Sequence, residues 1–379
     1  MSILFFSKKS IDFKKIRLCF IITLPLFLTY CSYNIKETKR ISIEAHEGTE
    51  LAFDLSPDGK TIVFDLLGQI WLLPSEGGEA KAITKSIQEN AEHLYPSFLK
   101  DGKRIVFWDS RPSSWGLTSM DLTGGERKVL TELSSSEDDS YNDRFFACSP
   151  KKSDIAFVRD GKLMIINYEK ESTPVELKLE NLPGTGITDP TFAPDGNLLA
   201  FINSPADYTS HSGGQVFQIR VDSGYSESLS IAKGKIRAPC YSPDGKSIAY
   251  FALNDDLDYE IWVQNIDGEE PRKLTIHKDI TPLRLRWTPD GNNLIYCAEG
   301  RFWRVQAEGG QSKEIPFTAY LTFSREQPKL KSVQFPKPNQ KMMAYGNMGM
   351  AISPDGNKIA IIALNRLWVW DIGKKPVAI

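Results

Sequence analysis

Ser56-Pro57-Asp58-Gly59 returns along the chain as Ala193-Pro194-Asp195-Gly196, Ser242-Pro243-Asp244-Gly245, Thr288-Pro289-Asp290-Gly291 and Ser353-Pro354-Asp355-Gly356. Leu99-Lys100-Asp101-Gly102 and Ser149-Pro150-Lys151-Lys152 are degenerate copies. Taking the proline slot as the anchor, the copies stand at 57, 100, 150, 194, 243, 289 and 354, with gaps of 43, 50, 44, 49, 46 and 65 residues. A period in the forties built of strands and turns predicts propeller blades. Five residues after each anchor stands an aliphatic residue (Ile62, Ile105, Ile155, Leu199, Ile248, Leu294, Ile359). Two further on stands an aromatic in all but the last copy (Phe64, Phe107, Phe157, Phe201, Tyr250, Tyr296; Ile361). The residue between them is apolar too, so the strand is covered on both faces, as in a sheet stacked between sheets. Pro sets the backbone entering the turn and Asp-Gly supplies the positive φ of a tight reversal.

A third strand follows in Gln69-Ile70-Trp71-Leu72, Glu260-Ile261-Trp262-Val263, Arg301-Phe302-Trp303-Arg304 and Arg366-Leu367-Trp368-Val369. After a Gly-rich turn comes a short outer strand such as Lys81-Ala82-Ile83-Thr84. The prediction is an all-β, seven-bladed propeller of four-stranded antiparallel blades over 41–379, with an insertion at 317–348. The repeats resemble the Pro-Asp-Gly repeats of TolB-like propellers, relatives of WD repeats. The first blade resembles the propeller at the front of certain bacterial amidohydrolase-fusion proteins. TolB-like resemblance implies a binding role in the cell envelope.

Residues 1–30 carry Lys8, Lys9, Lys14, Lys15 and Arg17 before an apolar run from Leu18 to Tyr30. That is a signal-peptide pattern, too short to span a bilayer. Leu28-Thr29-Tyr30-Cys31 resembles a lipobox, with Tyr30 where that pattern has a small residue. It implies lipidation of Cys31, a tether over 32–40 and attachment to the outer membrane or display in the periplasm. The remainder holds 41 basic and 47 acidic residues, a mixed and mildly acidic surface that argues against nucleic acid.

No catalytic constellation emerges. His46, His93, His211 and His277 are dispersed with no metal-ligand spacing, and there is no G-x-S-x-G elbow. Neither catalysis nor a cofactor is therefore expected. The acidic run Asp255 to Glu260 reads as a solvated loop or a calcium site. Cys148, Cys240 and Cys297 read as small buried apolar residues.

Three residues before the anchors, on strands crowded near an axis, small residues prevail except for Asp54 and Arg286. Buried charges need partners, so the two are expected to point into the channel and be ion-paired or hydrogen-bonded there, as a structural pair or as part of a ligand site. His93, Arg144, Asp189, Arg237 and Arg284 lie slightly further up the same strands and complete the candidate channel site. A seventh blade is expected between those that carry Arg286 and Asp54. The strand at 41–45 is expected to finish blade seven. Pro and Lys in 317–348 argue against a regular element there, leaving a capping flap or a plain connector. The function these observations favour is a lipid-anchored, non-catalytic module that binds a protein or peptide partner in the envelope. The alternatives are a shortened relative or accessory chain of a TolB-like or amidohydrolase enzyme, or a channel that holds a small ligand or calcium.

Overall fold

A computed structural model describes residues 38–379 except 86–88, 112–115, 132–145, 171, 180–181, 185, 205–213, 223–225, 230–234, 269–270, 275–276, 327–347 and 364–365. Cys31 and Arg144 lie outside the described residues. The chain is all-β, and each of the seven repeats forms an antiparallel sheet whose four strands follow chain order. It divides into two units, residues 38–325 with six of the sheets, and a second unit that holds the seventh.

Blade one comprises Phe53–Leu55, Thr61–Leu66, Gln69–Pro74 and Gly78–Ala82. Blades two to six span 93–129, 146–176, 186–228, 235–273 and 280–315. The apolar triad after each anchor is removed from water in all six: Ile62, Val63 and Phe64, for instance, have no accessible surface. Both faces of the second strand are covered, as expected from the pattern. Adjacent blades share apolar clusters, and most of the stability of this unit comes from that face-to-face burial.

The anchor turns are held by their own side chains. Ser56 Oγ donates to Asp58 Oδ1 at 2.6 Å, and the Lys60 and Thr61 N–H groups donate to Asp58 Oδ1 and Ser56 Oγ. The same hydroxyl-to-carboxylate bond recurs at Ser242–Asp244. Gly245 and Gly291 have φ of 73° and 72°, as the Asp-Gly reading requires. These glycines also face the preceding blade. A Cβ on Gly102 would meet Pro57, on Gly245 Pro194, on Gly291 Pro243 and on Gly59 Pro289. The proline and glycine of the motif thus join neighbouring blades as well as shaping each turn.

The Gly59–Pro289 approach brings blade six beside blade one, where a seventh blade was expected. Three further contacts cross the same boundary. Gly48 N–H donates to the Gly300 carbonyl at 2.9 Å. The Phe302 ring stands edge-on to Phe53 and Phe64, with centroids 5.4 and 5.2 Å away. Arg286 pairs with Asp54. Such close packing makes blades six and one direct neighbours, so that Arg286 reaches Asp54 from an adjacent blade, contrary to expectation.

The outer edge of blade one departs from expectation as well. Phe317–Glu326, the start of the expected insertion, forms a regular strand. It runs parallel to Gly78–Ala82, with Phe317 opposite Gly78 and Ala319 opposite Ala80. Thr38–Ala45 then adds outside it, so the N-terminal strand extends blade one rather than blade seven. Phe317, Ala319 and Leu321 are buried in the cluster shared by blades one and six, and that burial outweighs the weak local propensity. The Pro- and Lys-rich remainder of the insertion lies outside the described residues.

In the second unit, Met348–Ile352, Lys358–Ala363, Arg366–Asp371 and Val377–Ala378 form the sheet of the seventh repeat. Its triad Ile359, Ala360 and Ile361 is only partly buried.

One stability test follows from the anchor turns. In Gly59→Ala the new Cβ would lie 2.8 Å from Pro289 Cδ at φ 73°, whereas in Gly291→Ala the nearest atom is 3.8 Å away at φ 72°. The backbone penalty of about 1 kcal/mol is common to both, so urea unfolding should find Gly59→Ala clearly the more destabilised. Equal losses would mean that blades six and one are not in contact at this turn.

Candidate functional site

Residues from the first strands of blades one to six line one cavity of about 710 Å³. All six anchor positions, Pro57, Lys100, Pro150, Pro194, Pro243 and Pro289, contribute to its wall. Of the sequence candidates, Asp54, Asp189, Arg237, Arg284 and Arg286 line it. His93 does not: it is fully buried beside Phe107, with Nε2 3.6 Å from Asp109 Oδ1 and 3.7 Å from Glu89 Oε2. Burial pushes its pKa down, so it is the neutral imidazole that packs there.

A backbone device aims these side chains. Each first strand of blades two, four, five and six slips register against the second strand, between Leu94 and Ser97, Thr188 and Thr191, Arg237 and Cys240, and Thr281 and Leu285. Within the slip Tyr95, Asp189 and Ala238 take φ of 55°, 49° and 45°, and each stands five residues before its anchor. A proline follows every one of them (Pro96, Pro190, Pro239), so the bulge leaves no donor unpaired at that position. The blade-six slip carries Arg284 at the same offset. This Xaa-Pro pairing, repeated at one offset, was the signal for the bulges that the sequence reading passed over. Tyr95, Cys148 and Trp287 also line the cavity and were missed.

Asp54 is saturated. Its Oδ1 accepts from Leu55 N–H and Arg286 Nε, and its Oδ2 from Ser97 Oγ at 2.6 Å and Phe98 N–H at 2.8 Å. Burial alone would raise this carboxyl, but Arg286 and the Ser97 hydroxyl bring it below the usual carboxylate value. The pair ties blade six to blade one and blade one to blade two. Arg237 Nε donates to Asp189 Oδ2 at 2.9 Å, which joins blades four and five in the same way. Cys148 and Cys240 stand in the wall, and burial pushes the Cys148 thiol up to about 12, which keeps it protonated and poorly nucleophilic.

Asp65, on the second strand of blade one, accepts Ala52 N–H at 2.9 Å and Tyr95 N–H at 2.7 Å, fastening the blade-two bulge. Burial raises its carboxyl to about 7 despite those bonds. The folded state therefore holds a proton that the unfolded chain releases near the ordinary carboxyl value of 3.8. This contribution is fully present below that value and is lost as pH rises through about 7, with a slope approaching ~1.4 kcal/mol per pH unit in between. Chemical unfolding of the wild type and Asp65→Asn from pH 4 to 8 should show that slope removed in the variant. Parallel curves would show that Asp65 is ionised throughout.

Among the described residues no three His, Cys, Asp or Glu side chains converge as metal ligands.

No family model matches the chain. It is 23% identical over 325 residues to the dipeptidyl-peptidase 5 of Porphyromonas gingivalis, covering 69% of this chain and 47% of that protein. It is 27% identical over 189 residues to the uncharacterized protein Atu1656 of Agrobacterium fabrum, covering 48% of this chain and 60% of that one. The chain thus spans about half the length of these curated relatives. Among solved structures, TolB from Acinetobacter baumannii superposes with a TM-score of 0.54 at 17% identity, covering 71% of this chain and 66% of that one. The tricorn protease superposes with a TM-score of 0.52 at 17% identity, covering 86% of this chain and 31% of that one. The fold is that of a TolB-like propeller.

Proposed function

We propose that this TolB-like propeller is a non-catalytic binding module whose central cavity receives a peptide segment of a protein partner. The carrying observation is the cavity of about 710 Å³ built by all six blades of the first unit, with a largely apolar wall into which charged side chains, three arginines among them, are set. That volume is in the range of small-ligand sites and suits a few residues of chain. The names of two similar proteins, a dipeptidyl-peptidase and a protease, favour peptides over other ligands. Blades one to six supply the wall of this cavity in our reading.

The test is selection of peptides from a random display library with the purified chain, followed by titration of the enriched peptides. Peptides that bind the wild type and lose affinity when cavity residues are substituted support the reading. No enrichment, or binding indifferent to those substitutions, refutes it.

We place the module in the envelope, attached through Cys31, on the strength of the basic and apolar leader. The mass of the mature N-terminus decides this, and a chain that retains Met1 or lacks acyl groups on Cys31 would contradict it. The second reading is a propeller serving a peptidase, as part of one chain or alongside a separate one. Similarity to a dipeptidyl-peptidase of which this chain covers 47% favours it. Peptidase activity co-purifying with the chain, and lost on its removal, would select that reading.

A further inference from the structure

Among the described residues three arginines reach the cavity, and two of them are matched by carboxylates. Arg237 holds Asp189, and Arg286 holds Asp54. Asp54 has no capacity left for a further donor, since each of its oxygens already accepts two. Arg284 has no carboxylate partner among the described residues. Its side chain instead crosses the cavity from blade six to blade three, the opposite blade in the sequence of neighbours. There Nη1 donates to the Phe146 carbonyl at 3.2 Å, and the guanidinium carbon lies 5.3 Å from the centroid of the Phe146 ring.

A guanidinium carries five N–H donors in a fork shaped for a carboxylate. A neutral carbonyl and a ring face satisfy that fork poorly, and charge-assisted bonds are about twice as strong. Burial and the neighbouring Arg286 pull the Arg284 pKa down to about 10, so at neutral pH it is still a cation. Asp54 and Asp189 offset this charge only from a distance, and a partly buried charge without a direct counter-ion is a cost to the fold. The bulge that carries it, five residues before the Pro289 anchor, directs it to the axis instead of letting it pair along the strand.

We propose that Arg284 is the anion receptor of the cavity: a carboxylate of the bound ligand displaces the Phe146 contact and takes the guanidinium in a bidentate pair. The site rests on the reading of the cavity as a peptide pocket. The carboxylate comes from a peptide's chain terminus or from an acidic side chain, and the probes below separate the two. Arg237 and Arg286 keep their own partners and form the rigid wall against which the Arg284 side chain swings.

The test uses the full chain and ligand-observed NMR with four probes: Ala-Ala-Ala, its C-terminal amide, acetyl-Ala-Asp-Ala-amide and succinate. At least one carboxylate-bearing probe should bind the wild type at least tenfold more tightly than the tripeptide amide. That binding should fall at least tenfold in Arg284→Met and partially recover in Arg284→Lys, which keeps the charge without the fork. Preference for free Ala-Ala-Ala identifies a chain terminus, and preference for the Asp peptide identifies a side chain. Arg284-dependent binding of succinate alone would uphold the receptor and refute the peptide reading. Peptide binding equal for acid and amide, or unchanged in Arg284→Met, would overturn the receptor and leave the peptide reading standing. Absence of binding by every probe overturns it as well. Removing an unpaired cation should leave the melting temperature of Arg284→Met unchanged or raised. Should that variant fail to fold, Arg284→Lys and the acid–amide comparison in the wild type still decide the matter.

Discussion

Replacing Asp54 by alanine is expected to destabilise the protein by about 3–5 kcal/mol, because it strands the partly buried guanidinium of Arg286 without its direct counter-charge and leaves buried donors unpaired. It also removes the acceptor for Ser97 Oγ and Phe98 N–H, so the junction of blades one and two loosens together with that of blades six and one. A loss of that size consumes much of the 5–15 kcal/mol that holds a typical domain together. Arg286→Met alone should cost less than Asp54→Ala, since the carboxylate keeps three of its four donors. The double variant should be more stable than the sum of the singles predicts, by about 2 kcal/mol or more, which is the signature of direct contact. Additivity within about 0.5 kcal/mol in urea unfolding would mean that the two side chains do not meet. The pH dependence has a definite sign. The Asp54 carboxyl lies below the ordinary value of 3.8, so its contribution is present above that pH and is lost as pH falls below it. Asp65 acts in the opposite sense, and stability should decline on both sides of mildly acidic pH.

The second large effect concerns the strand that follows blade six. Phe317 is buried against Phe64 and Phe302, with ring centroids 5.3 and 5.7 Å away. Phe317→Ala opens a cavity at the meeting of blades one and six and should cost about 3–5 kcal/mol. Removing the outermost strand Thr38–Ala45 should behave differently. Its residues are mostly exposed and it touches the cluster only through Ala45. A chain beginning at His46 should lose only about 1 kcal/mol, yet self-associate more readily, because the 317–326 strand then presents an open edge. Thermal melts and sedimentation check both halves. A large drop in the melting temperature of the truncated chain, with Phe317→Ala nearly neutral, would reverse the roles assigned to the two strands.

These expectations separate what could be read from the sequence from what could not. The repeats were legible because the anchor turn and the apolar triad recur in every blade, and each is a local requirement: positive φ at Gly245 and Gly291, and double-sided burial at Ile62, Val63 and Phe64. Asp54 and Arg286 were legible as a pair because charge stood where small residues were the rule. The neighbour of blade one was not legible. It depends on Phe302 packing against Phe53 and Phe64, a contact between residues far apart in sequence. The strand at 317–326 was hidden by the prolines and lysines that follow it, because a 317–348 insertion taken as a whole reads as irregular. His93 was misplaced for a geometric reason. The bulge at Tyr95 turns the strand, and a residue two positions beyond it faces Phe107 and Asp109 rather than the axis.

The central claim is that the cavity between the six blades is where a peptide binds, and hydrogen exchange tests it most directly. A peptide selected by the wild-type chain should slow exchange along the first strands, at Phe146–Cys148, Gly186–Phe192, Lys235–Tyr241 and Ile280–Trp287. Protection confined to the outer strands, such as Gly78–Ala82 or Lys313–Ile315, with the first strands unchanged, would contradict it.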